Sequence, residues 1–175
     1  MNKLHIILLI IIFVSFQSCS QSTYENITYS YRAKIPTEWK LIGKIENDSV
    51  KDFSNIEWSL PKVTSESSDT EIENTIEVYA YKNSNIKNID ELLEFEKRKW
   101  QAFLLDIKIT PLDSGNTIEI VNTSKLQSFN HKSKKYLIFN NDICYRVQFV
   151  STLETFDKNL PIFEKFYNGL KIYTK

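Results

Sequence analysis

The stretch Ile143-Cys144-Tyr145-Arg146-Val147-Gln148-Phe149-Val150 decides the fold. It alternates with the period of a strand: Ile143, Tyr145, Val147 and Phe149 face one way, Cys144, Arg146, Gln148 and Val150 the other. Cys144 within this apolar-rich run reads as an inert packed thiol. Working back toward the N-terminus, short alternating runs occur at 107–110, 117–121, 125–129 and 135–139. Between them lie Asp113-Ser114-Gly115-Asn116, Asn122-Thr123, Asn130-His131-Lys132 and Asn140-Asn141-Asp142, all residue types that tolerate turn geometry. Connections this short join antiparallel neighbours, because a parallel return needs a long crossover.

Ahead of this meander the period changes. Ile89, Leu92, Leu93, Trp100, Phe103 and Leu104 fall at helical spacings and predict a helix over 88–105 that buries Leu92, Trp100 and Phe103. Asn88 with Glu91 three residues on supplies a capping-box-like start, and Glu94, Lys97, Arg98 and Lys99 read as the solvated face. Residues 71–82 alternate and predict a strand, while the polar run 64–71 predicts a loop. Strands are further expected at 27–35, stopped by Pro36-Thr37-Glu38, at 39–45, and at 53–60, ended by Pro61. A last helix is expected between Thr155 and Asn168, with Pro161 in its first turn and Gly169 just past its end, followed by a closing strand from Leu170 to Tyr173. The order of elements predicts an α+β fold, a central antiparallel β-sheet flanked by helices, in one domain over 27–175.

The N-terminus reads as an address. Met1-Asn2-Lys3, the apolar run Ile6 to Val14 and the segment Ser15-Phe16-Gln17-Ser18-Cys19 have the parts of a signal peptide over 1–18. The apolar run is too short to span a bilayer, which takes roughly 20 residues. A cysteine at the cleavage position marks a lipoprotein, with Cys19 as the lipidated residue and 19–26 as the anchor and a short polar tether. Phe16 and Gln17 fit a relaxed form of the lipoprotein cleavage motif.

Composition excludes several functions. With 22 basic and 22 acidic side chains, the chain has no global electrostatic reason to bind nucleic acid. Once Cys19 is acylated, Cys144 is the one remaining thiol, so no intrachain disulfide is expected. His131 is the one histidine after the signal peptide, in an expected turn, which leaves a hydrolytic triad without its base. Cysteine and histidine numbers also argue against a metal centre, and three glycines leave little for a phosphate loop. No catalytic, metal-binding or cofactor-binding residue is predicted. Two carboxylates brought together by the fold stay open as a hydrolase alternative. Asp48-Ser49-Val50 matches a short bacterial O-glycosylation signal, with Ser49 as the acceptor.

Three stretches carry a family resemblance: Tyr31 to Trp39 with its Pro-x-x-Trp start, Asp142 to Val147, and Ile162 through Ile172. Together with the order of elements they resemble the PsbP-like fold, shared by photosystem accessory proteins, a yeast Ran-binding protein and DcrB-like bacterial lipoproteins. The resemblance implies a binding or assembly module and no shared catalytic motif. A cystatin-like or nuclear-transport-factor-like curved sheet uses similar elements, although a helix in mid-chain weighs against it. The expectation is a non-catalytic lipoprotein of the bacterial cell envelope, held to a membrane by Cys19 with its domain in the periplasm. It would act on an envelope protein as partner. A small apolar-ligand carrier is the other alternative, given an aromatic content of 13%.

Overall fold

The computed structural model describes residues 21–46, 52–66, 68–112, 114–126 and 129–173. The expected signal peptide over 1–18, Cys19 and Ser49 lie outside the described residues.

The stretch at Ile143–Thr152 is strand β11, at the middle of a seven-stranded antiparallel sheet. The order is β3 (Lys40–Ile45), β4 (Phe53–Ser59), β7 (Thr75–Lys82), β11, β10 (Phe129–Asn140), β9 (Thr117–Leu126) and β8 (Leu104–Pro111). Helix α1 (Ile89–Trp100) covers part of one face. Helix α2 (Leu153–Gly169) covers the other, together with a three-stranded sheet of β1 (Gln21–Asn26), β2 (Tyr31–Pro36) and β12 (Lys171–Ile172). A small hairpin, β5 (Val63–Thr64) with β6 (Glu71–Ile72), projects from the connection between β4 and β7.

Alternation in β11 divides the two cores. Ile143, Tyr145, Val147 and Phe149 pack with Ile56, Val78, Phe156 and Phe163 beneath α2, while Cys144 packs with Tyr81, Leu92 and Leu137 beneath α1. The β10–β11 hairpin closes through Asn141 and Asp142, both with positive φ, the requirement of a two-residue hairpin whose twist matches its strands. The capping box of α1 is present, shifted by one residue: the Glu91 amide donates to Asn88 Oδ1 (2.9 Å), and Glu91 Oε2 accepts from the Lys87 amide (2.7 Å).

Several expectations are corrected. The segment read as a tether is strand β1, in register with β2 from Gln21 opposite Pro36 to Asn26 opposite Tyr31. The strand expected over 27–35 is interrupted because Asn26 Oδ1 accepts the Tyr29 amide (2.9 Å) and Ser30 takes a positive φ, which turns the chain back. Neither Asn122-Thr123 nor Asn130-His131-Lys132 is a turn. Asn122 is held within β9 by the Ser133 hydroxyl, which donates to its Oδ1 across the strands (2.8 Å), and His131 pairs in register with Ser124 and Thr152. The strand expected over 71–82 starts afresh at Thr75, after the short β6.

Helix α1 ends at Trp100 and passes through a 3-10 turn, Gln101–Phe103, so Phe103 is 52% exposed and not in the core. Pro161 lies inside α2 instead of in its first turn, because the helix already begins at Leu153. It sits on the exposed side with Asp157, where water can replace the missing amide.

These placements separate two α1-end residues that the spacing treats alike. Leu92→Ala should cost about 2–5 kcal/mol in urea unfolding, as a fully buried leucine does. Phe103→Ala should stay within about 0.5 kcal/mol of the parent. Comparable losses for the two would contradict the early end of the helix.

Candidate functional site

The face of β11 turned toward α1 carries a charged cluster. Arg146 retains 19% side-chain exposure and lies between two carboxylates: its Nη2 donates to Glu77 Oε1 on β7 (2.7 Å) and its Nη1 to Glu96 Oε2 on α1 (3.0 Å). Glu96 is fully buried and lies on the helix stripe one turn from both Leu92 and Trp100. Its other oxygen accepts from Lys99 Nζ (2.6 Å) and from the Tyr81 hydroxyl (3.2 Å). Burial pushes the Glu96 carboxyl up, yet Arg146 and Lys99 outweigh it and hold the group below its ordinary range. The Arg146 guanidinium also stacks against Tyr79, 4.9 Å from the ring centroid.

Lys135 on β10 is 4% exposed and shares this face. Among the described residues, no carboxylate oxygen lies within ion-pairing distance of its ammonium, which sits 4.6 Å from the centroid of the Trp100 ring. Burial, reinforced by the charge of Arg146, pulls its pKa down to about 8. Among the described residues, three polar atoms of the same region are buried without hydrogen-bond partners: Arg146 Nε, Trp100 Nε1 and Asn55 Oδ1. Beyond the edge of α1, Asn55, Glu57, Glu77 and Gln148 form a polar platform that stays partly exposed, with Gln148 in register between Glu77 and Lys135.

The arrangement is poorly suited to the acid–base chemistry left open by the sequence. Glu77 and Glu96 do converge, but on one guanidinium, and Glu96 is held below its ordinary range, whereas a glycosidase acid needs a raised pKa. The second convergent pair, Glu119 and Glu164, is bridged in the same way by Lys134 (2.7 and 2.5 Å). Cys144 and His131 share a sheet face, but Cys144 pairs with Phe139, eight residues along β10 from His131, about 27 Å at strand spacing. Cys144 is fully buried and free, its thiol pushed up to about 11 by burial. Among the described residues, no group of three or more His, Cys, Asp or Glu could hold a metal ion.

A second concave feature lies on the other side of the molecule. Trp39, Phe166, Pro61, Pro161 and Ile162 line a groove of about 550 Å³ between the start of β3 and α2. Space between the sheet and α2 is filled by fully buried side chains such as Val147, Phe149 and Phe163, so this apolar concavity opens on the surface.

Neither charged partner was singled out by spacing alone. The signal available for Glu96 was a carboxylate on an apolar helical stripe, and for Lys135 a lysine within a strand of the meander.

Lys135 gives a stability test with a definite sign. A buried cation with a depressed pKa penalises the folded state while it is protonated, and the penalty fades as pH rises from about 8 toward the ordinary lysine value. Lys135→Met should therefore be more stable than the parent at pH 7, by up to about 3 kcal/mol, and the advantage should shrink above pH 8. Equal or lower stability at pH 7 in paired denaturant titrations would show that the ammonium has a partner.

By sequence, the chain matches no protein-family model and no curated protein. By structure it is similar to cyanobacterial PsbP from Synechocystis, with a TM-score of 0.56 at 9% identity, covering 90% of this chain and 95% of the other. It is similar to the Ran-binding protein Mog1p of Saccharomyces cerevisiae, with a TM-score of 0.56 at 7% identity over 89% and 96% of the two chains. It is also similar to LpqN of Mycobacterium tuberculosis, a protein involved in cell envelope biogenesis, with a TM-score of 0.51 at 8% identity over 90% and 88%. The domain, with its large antiparallel sheet between helices, has the PsbP-like fold.

Proposed function

We propose that this chain is a non-catalytic lipoprotein of the bacterial cell envelope, anchored through Cys19, whose PsbP-like domain binds an envelope protein as an accessory to its assembly or action. The observation that carries the binding role is the cluster in which Arg146 stacks on Tyr79 and Lys135, with no ion-pair partner among the described residues, lies against Trp100. Tryptophan, tyrosine and arginine are the residues most enriched at the energetic centres of protein interfaces. Among the described residues, the buried donors Arg146 Nε and Trp100 Nε1 lack hydrogen-bond acceptors of the kind a partner segment would supply. The polar platform around Gln148 gives such a partner a landing surface.

The structural neighbours support an accessory role, since one is a Ran-binding protein and another is involved in cell envelope biogenesis. Address and cargo are separable in this reading: the lipid on Cys19 supplies the anchor, and among the described residues no helix is long and apolar enough to cross a membrane.

A photo-crosslinking residue placed at Gln148 should capture a discrete envelope protein in living cells, and the same residue at the exposed Lys158 on α2 should not. Capture should fall when Cys19→Ala abolishes incorporation of a palmitate analogue. Absence of any reproducible adduct at Gln148, in a chain that is lipidated normally, would remove the proposed interface.

A further inference from the structure

From the position of β1 we infer that the groove at Trp39 and Pro161 is the face the domain lays against the lipid surface. The inference rests on the proposed anchor at Cys19. Gln21 is hydrogen-bonded into the sheet opposite Pro36 and itself lines the groove. Cys19 precedes it by two residues, a reach of at most about 7 Å. The polar headgroup layer on one side of a bilayer is of similar thickness, about 5–8 Å. An acyl-bearing Cys19 therefore leaves the domain no freedom to stand off: whatever surrounds Gln21 meets the headgroups.

What surrounds Gln21 suits that environment. Ile162, 39% exposed, forms the outer wall of the groove with Pro161 and the Trp39 ring. An adjoining depression continues the apolar surface through Pro36 and Trp39 to Leu41, which is 53% exposed, and is bordered by Ser22 and Thr23 of the same strand. Lys34 and Lys165 stand on the groove with Glu38, a local excess of one positive charge on a chain that is neutral as a whole, placed to meet lipid phosphates. The apolar area is too small to hold the domain on a membrane alone, so the surface orients a domain that the acyl chains retain. The other end of β2 lies about 17 Å away along the strand, where Ser30 meets Lys82 and Asn141.

The test uses the full-length lipidated chain in vesicles of phosphatidylethanolamine with phosphatidylglycerol. Single cysteines replace Ile162 or Asn85, the latter an exposed residue just beyond Lys82, and carry a nitroxide; Cys144 is buried and escapes labelling. Relaxation by oxygen, which concentrates in lipid, relative to a water-soluble nickel chelate should be several-fold higher at Ile162→Cys than at Asn85→Cys. Equal ratios on a chain that floats with the vesicles would overturn the orientation and leave the anchor standing. Dipolar broadening between labels at Ile162→Cys would place a second copy in the groove and overturn it too. A chain that fails to float would overturn the anchor, and with it this inference.

Discussion

Arg146 is the residue on which the polar side of this structure depends. It projects from the central strand β11 and holds one carboxylate from the neighbouring strand and one from the helix above. Glu96 has no exposed surface, and a carboxylate with no water must be compensated by charges and donors of the protein. Arg146, Lys99 and the Tyr81 hydroxyl supply them, so the same contacts that keep Glu96 ionised fasten α1 to the sheet. On the opposite face of the same strand, Tyr145, Val147 and Phe149 need only apolar neighbours, and α2 provides them. Tyr145 adds one polar tie there, donating to the Tyr29 carbonyl (2.7 Å) and fixing the turn that starts the three-stranded sheet.

The asymmetry between the faces shapes the functional reading. The α2 face, apolar at its centre, is covered. The α1 face is covered only in part, and its edge leaves a platform of Asn55, Glu57, Glu77 and Gln148 partly exposed beside buried donors without partners among the described residues. Arg146 engages both carboxylates, and the Lys135 ammonium lies against an indole ring instead. The cluster thus combines a firmly paired part, which holds the helix, with an unpaired part, which has capacity for a ligand group.

Much of the architecture was legible because it depends on periodicity. The alternation of 143–150 places β11 and sorts its residues between two cores, and the stripe through Leu92 places α1. The positive-φ pair Asn141 and Asp142 follows from turn chemistry. What escaped depends on partners distant in sequence. Gln21–Asn26 is polar and reads as a tether, yet becomes a strand because β2 offers it an edge. Asn122 and His131 are turn-prone residue types held in strands by cross-strand neighbours. Glu96 and Lys135 look like surface charges until the sheet brings Arg146 and Trp100 over them.

Whether Arg146 compensates a buried Glu96 and so fastens the helix to the sheet is measured directly by a double-mutant cycle. Arg146→Met alone should cost about 3–5 kcal/mol, since it leaves Glu96 charged and unmatched against water. Adding Glu96→Gln to that variant removes the uncompensated charge, so the double variant should recover stability relative to Arg146→Met in urea unfolding at neutral pH. If Glu96→Gln instead lowers stability by the same amount with and without Arg146, the two residues do not depend on each other and the account is contradicted.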